Sequence, residues 1–94
     1  GEELLAHFSV GTEELADFEG EIYVYRERED PTLCRALVQV SIPSRWPDFS
    51  GTQVVMTDGQ ETRSAQTGPD GRVVFTDIPV EALDRIAFAL MPPE

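Results

Sequence analysis

From Glu21 onward, apolar and polar residues alternate with a period of two, and this alternation constrains the fold more than any other feature of the chain. Successive side chains of a β-strand point to opposite faces, so the pattern predicts strands that each bury one face. Six segments carry it: 21–28, 35–42, 52–57, 61–67, 72–76 and 85–91. The clearest is the second, whose predicted inward-facing residues are Ala36, Val38, Val40 and Ile42.

Turn-forming residues separate these segments. Asp58-Gly59 predicts a hairpin, and Gly68-Pro69-Asp70-Gly71 predicts a second turn. The stretch 79–84 has room for one helical turn. Short strands with turns about every 8 to 12 residues favour a sandwich over alternating strands and helices. A chain of 94 residues supports one core. The predicted fold is therefore mainly β, a small immunoglobulin-like or transthyretin-like antiparallel β-sandwich of about six to seven strands.

The first twenty residues follow a different pattern. Thr12 as a cap, Glu13 and Glu14 in the first turn and Gly20 as a stop predict a short helix over 12–19. An irregular leader lying across a sheet edge is the alternative. In either case the large apolar side chains of this leader are expected to pack on the sandwich or to reach a second copy in a homodimer. These side chains are Leu4, Leu5, Phe8, Leu15 and Phe18.

The organisation predicted from these patterns is a leader over 1–20, a β-sandwich over 21–91 and a tail or linker over 92–94. The chain begins with Gly1 in place of Met, which leads us to expect a domain excised from a larger protein or a tag remnant. No basic leader followed by an apolar run is present, and no stretch of about 18 apolar residues predicts membrane insertion.

Charge restricts the classes of partner. The chain has 18 acidic and 7 basic residues, for a formal net charge of -11, which repels nucleic-acid phosphates and anionic lipid head groups. All seven basic residues are Arg, and neither Lys nor Asn occurs, so lysine Schiff-base chemistry and N-glycosylation are excluded. The expected partner is another protein or the rest of a larger polypeptide.

Catalytic and metal-binding motifs are missing from the sequence. His7 is the only histidine and has no nucleophile at a recognisable spacing, and Cys34 is the only cysteine, so no intrachain disulfide can form. The acidic residues near the turns lack the dense spacing of a calcium loop. We therefore predict no catalytic residue, no metal ligand and no cofactor.

The segment from Pro43 to Gly51 contains the candidate binding residues Arg45, Trp46 and Phe49. Its two prolines exclude a central strand, because each removes a backbone donor. Two large rings on a stiff connection suit a protein hot spot or a carbohydrate platform. The alternative is that both rings fold inward and cap the open end of the sandwich. Exposure of Trp46 separates these interpretations, because a buried indole has no surface to offer.

The residues from Gln66 to Pro79, QTGPDGRVVFTDIP, follow a pattern found in one known family. They resemble the "T-D-x-D-G-x-(F/V)-x-F-x-x-(L/I)-P" hairpin of carboxypeptidase regulatory-like, transthyretin-like domains, and Gly51-Thr52-Gln53-Val54 resembles the "G-x-x-V" strand that precedes it. Gly68 replaces the first Asp, and the usual "G-x-Y" ending is absent. The resemblance covers about 35–91. It implies a β-sandwich accessory or interaction module and carries over no catalytic residue.

Because the sequence lacks metal-ligand spacing, we expect neither Ca²⁺ nor Zn²⁺ to stabilise the fold. A bound metal raises the free energy of unfolding only where a site exists. Thermal melts with each ion, at matched ionic strength, should coincide with melts in chelator. A marked rise in melting temperature with either ion would contradict the prediction.

Overall fold

Seven strands arranged in two antiparallel sheets make up the computed structural model, which describes residues 2–94, with Gly1 outside the described part. The strands are β1 (Leu4–Val10), β2 (Glu19–Arg26), β3 (Leu33–Ser41), β4 (Gln53–Thr57), β5 (Thr62–Gln66), β6 (Arg72–Pro79) and β7 (Ala87–Met91). One sheet has four strands in the order β1-β2-β3-β6, and the other has three in the order β5-β4-β7. The predicted mainly β class is confirmed.

All six strands predicted from the alternation are present, with ends shifted by a few residues. The Asp58-Gly59 turn joins β4 to β5 as an antiparallel hairpin, as predicted. Helical structure in residues 2–94 consists of two short 3-10 segments, Pro43–Arg45 and Val80–Ala82, of which the second lies in the stretch predicted to form one turn. Neither these nor any other helix in the described residues has the length and apolar character needed to cross a membrane.

The predicted N-terminal helix over 12–19 is wrong. The leader instead forms strand β1, which pairs with β2 through Ala6↔Val24, His7↔Tyr23 and Phe8↔Ile22. After β1 the chain turns, with the Phe18 amide donating to the Leu15 carbonyl oxygen at 3.1 Å. A helix of about eight residues has a costly nucleus and little propagation to offset it. Residues 11–18 instead form the bends and turn that connect β1 to β2, and Glu19 already belongs to β2, so the pairing of the two flanking strands overrides the local helix signal.

Inward-facing residues of both sheets form one hydrophobic cluster. Ile22 of β2, Val38 of β3 and Val54 of β4 are fully buried in it, and Phe75 and Leu90 complete it from β6 and β7. The predicted inward set Ala36, Val38, Val40 and Ile42 is fully buried. Alternation therefore identified the core correctly.

The leader reaches this core through only some of the five predicted residues. Phe18 is buried, and Leu5 and Leu15 pack against the cluster while half-buried. Leu4 remains 50% exposed and Phe8 38% exposed, because both lie on the edge strand β1. The leader is thus part of the four-stranded sheet, with exposed apolar side chains along its free edge.

Adjacent residues Val73 and Val74 provide a matched test of the core, since they share a strand but are 5% and 52% exposed. Val73→Ala should lower the free energy of unfolding by about 2 kcal/mol through lost burial and a residual cavity. Val74→Ala should cost less than about 1 kcal/mol, the range of β-propensity alone. Urea denaturation of both variants measures the difference, and equal costs would contradict the assignment of faces.

Candidate functional site

Trp46 is the most exposed large hydrophobic residue in the described chain, with 74% of its surface accessible. The alternative in which both rings cap the core is therefore wrong for this residue. Phe49 behaves differently, since it is half-buried and packs against the hydrophobic cluster. Arg45 is exposed beside Trp46. The structure brings Arg45 and Trp46 together at the surface and places Phe49 beneath the same loop.

Consecutive turns shape the loop from Pro43 to Gly51. The Arg45 amide donates to the Ile42 carbonyl at 2.7 Å, and the Trp46 amide donates to the Pro43 carbonyl at 3.2 Å. The Asp48 amide then donates to the Arg45 carbonyl at 3.0 Å, across a cis peptide bond between Trp46 and Pro47. The Asp48 carboxylate also accepts from the Ser50 amide at 3.0 Å. Most backbone donors near Trp46 thus have partners within the loop itself.

Two segments distant in sequence hold the loop in place. On one side, the Asp17 carboxylate accepts a hydrogen bond from the Ser44 amide at 2.7 Å. On the other, the Phe49 amide donates to the Pro69 carbonyl at 3.0 Å, and the Thr67 hydroxyl donates to the Phe49 carbonyl at 2.9 Å. The leader and the turn between β5 and β6 therefore clamp the loop from either end.

Close packing adds a steric constraint at Gly71. Its φ of 78° lies in the left-handed region, and a Cβ atom there would collide with the Val40 carbonyl oxygen and approach Phe49 Cβ to 3.2 Å. The Val40 amide in turn donates to the Gly71 carbonyl at 2.8 Å. Only glycine allows the β5–β6 turn to lie this close to β3 and beneath the loop.

Sequence patterns did not identify the residues that support the loop. Asp17 lies 27 positions before Ser44, and no local motif links them. The guanidinium of Arg45 lies 3.4 Å from the Pro93 carbonyl, a contact 48 positions apart. The one local signal was the family-like turn 68–71, which directed attention to Gly71 but not to its contact with Phe49.

Electrostatics at the loop favour ionised carboxylates. Hydrogen bonds from the Ser44 side chain and amide lower the pKa of Asp17, and those from Ser50 lower the pKa of Asp48 in the same way. With Arg45, these groups place charges of both signs on the loop that carries the indole and at its contact with Asp17.

The two residues with reactive side chains, His7 and Cys34, lie in different environments. His7 lies on the outer face of the four-stranded sheet, where its Nε2 is 2.7 Å from a Glu21 carboxylate oxygen and its ring stacks on Tyr23 at 4.6 Å. Cys34 is fully buried on β3, and burial raises the pKa of its thiol, which makes it a poor nucleophile. Residues 2–94 contain no group of three or more His, Cys, Asp or Glu side chains placed to hold a metal.

The Asp17 contact predicts how the loop responds to acid. A folded pKa below the usual 3.8 means that ionised Asp17 adds stability above that value and loses it as the pH falls through the folded pKa. The environment of Trp46, the single tryptophan, should thus stay constant from neutral pH to about 4 and change only below it. Fluorescence titration should show this transition, and Asp17→Ala should reduce it to the part that Asp48 contributes. A transition near neutral pH, or one unchanged in the variant, would contradict the assignment.

Comparisons with known proteins give no match from which the function of this fold or of its loop could be inferred. The sequence matches no protein-family model, and neither the curated proteins nor the solved structures provide a match. A functional conclusion must therefore come from the exposed indole, the contacts that hold its loop and the charge of the surface.

Proposed function

We propose that this chain is a non-catalytic protein-interaction domain of a larger polypeptide or complex, and that Trp46 is its main anchor. The observation that carries the proposal is an indole left 74% exposed on a loop whose backbone is hydrogen-bonded within itself and to two other segments. A large apolar ring held in water costs hydrophobic free energy that contact with a partner recovers.

The loop is suited to binding because it is already ordered. Association loses free energy when flexible side chains and loops become fixed, and a preformed loop reduces that loss. Trp and Arg are enriched at the few positions that dominate interface energetics. In this proposal Trp46 fills a pocket on the partner, Arg45 pairs with a polar group at the rim, and Phe49 supports the loop from the core side.

The fold assigned with this function is an immunoglobulin-like or transthyretin-like sandwich. Two observations support it: side chains of both sheets share one cluster, and the family-like stretch ends in β6, which lies at the edge of the four-stranded sheet. Sandwiches of this kind present loops from a rigid scaffold, which is the arrangement found around Trp46.

Carbohydrate binding is the second candidate, because the same exposed indole suits a sugar ring. A sugar site also needs polar groups free to bind hydroxyls. Phe49 is half-buried and packs on the core, so it cannot form a second platform beside Trp46. A single exposed ring favours a protein partner.

Affinity capture tests the proposal. The immobilised domain should retain a protein from an extract of the source cells, and the purified partner should bind Trp46→Ala at least about 30-fold more weakly, the effect of losing an anchor worth about 2 kcal/mol. Val74→Ala, which removes an exposed apolar side chain from a different surface, is the matched control and should bind normally. Both variants must first show cooperative melting well above the temperature of the binding measurement.

Two results would contradict the proposal. One is a partner that binds the Trp46 variant as tightly as the parent domain. The other is retention on a polysaccharide, abolished by Trp46→Ala, with no protein captured, which would establish the carbohydrate function instead.

A further inference from the structure

The two sheets have unequal numbers of strands, and this leaves one strand of the larger sheet without a counterpart. At one seam the edge strands β5 and β6 are joined by Arg63, whose guanidinium donates hydrogen bonds to the Thr76 and Asp77 carbonyls. At the other seam, the edge strands β1 and β7 meet through the tilted ring pair Phe8 and Phe88, with centroids 5.9 Å apart. Leu90 of β7 also lies against Gly20 of β2, so β7 packs over β2 and touches β1 through this ring pair.

A cleft of about 200 Å³ opens beside this ring pair. Its apolar lining comes from Phe8 and Val10 of β1, Ile22 of β2, and Ile86 and Phe88 at β7. Phe8 stays 38% exposed there, so the cleft offers apolar surface to an incoming side chain. The volume accommodates one side chain of about the size of leucine or isoleucine.

The backbone of β7, beside the cleft, is also available to pair with another strand. In the part of the chain that the structure describes, β7 pairs with β4 alone, so its other edge has no strand beside it. A strand added at this edge becomes the fourth of its sheet and lies opposite β1. Because side chains alternate between faces, every second residue of the added strand then points over the cleft.

Charge indicates the chemistry of that strand. Glu13 and Glu14 follow the Val10 end of β1, and Glu19 begins β2 at the same end. Within residues 2–94 no arginine or histidine nitrogen lies within 4 Å of these three carboxylates. The net charge of -11 extends the same preference over the whole surface. A basic segment is attracted here, and an acidic one is repelled.

We propose that the edge of β7 and the cleft between β1 and β7 bind an extended basic segment of a partner protein by strand addition, with one aliphatic side chain in the cleft. This inference rests on the proposed protein-binding function but uses a surface other than the Trp46 loop. The partner would contact the domain at two places, a rigid ring on one loop and an open sheet edge.

Selection from a library of random heptapeptides displayed on phage tests the proposal without knowledge of the partner. Selected peptides should carry Arg or Lys at alternate positions around an Ile, Leu or Val. As synthetic peptides they should slow hydrogen exchange of β7 backbone amides in the parent domain. Trp46→Ala should bind these peptides as tightly as the parent, which separates this surface from that of the proposed function.

Charge variants provide the matched comparison. Glu13→Gln with Glu14→Gln should weaken peptide binding about fivefold, the effect of two exposed charges. The control pair Glu29→Gln with Asp77→Asn removes the same charge from the β2–β3 turn and from the opposite seam, and should leave binding unchanged. Val10→Phe, which fills the cleft, should abolish binding if its melting shows that it folds. If Val10→Phe does not fold, the two pairs of charge variants and the hydrogen-exchange measurement still test the proposal.

Several outcomes would overturn the proposal: selection of no peptide, selection of acidic or wholly apolar peptides, loss of binding in Trp46→Ala, or protection of amides outside β7. Protection of β7 that rises with protein concentration and needs no peptide would show that a second copy occupies the edge, and would also overturn it.

Discussion

Burial of one face of β3 is the constraint on which the rest of the structure depends. This strand pairs with β2 on one side and β6 on the other, and its residues Cys34, Ala36, Val38 and Val40 are all fully buried. A one-residue slip in register would turn that apolar row to solvent, so the alternation fixes the pairing of both neighbours. Ile42, which directly follows β3 and is also fully buried, accepts the first hydrogen bond of the loop from Pro43 to Gly51 at its backbone carbonyl. Core packing and the position of this loop thus both depend on β3 and the residue that follows it.

Polar side chains then hold the loop from Pro43 to Gly51 in place. Asp17 and Thr67 each satisfy a loop backbone group, and Thr67 also accepts the Thr52 amide at 3.0 Å in a buried contact. With its backbone donors paired, the loop can hold Trp46 outward without collapsing onto the core. The indole is therefore exposed on a supported segment, which is the physical basis for interpreting it as an anchor.

The sequence predicted the features that depend on local periodicity and turn chemistry. Alternation located six strands and their inward faces, and Asp58-Gly59 identified a hairpin, because both signals act over a few residues. The leader was misassigned because Thr12, Glu13 and Glu14 satisfy helix-start rules, whereas they lie in the connection between β1 and β2, and no local rule detects that these two strands pair. Arg45 and Trp46 were chosen as candidates from residue type, and the structure exposes both side chains. The supports Asp17 and Pro93 were missed, since contacts across 27 and 48 positions leave no local pattern.

Rigidity of the Trp46 loop is the central claim, and backbone ¹⁵N relaxation by NMR tests it most directly. We expect order parameters of about 0.85 for the non-proline residues of 44–51, the value of rigid backbone and the same as in β3. Values below about 0.6 across this segment in the free domain would show a flexible loop. That result would contradict the interpretation of Trp46 as a preformed anchor.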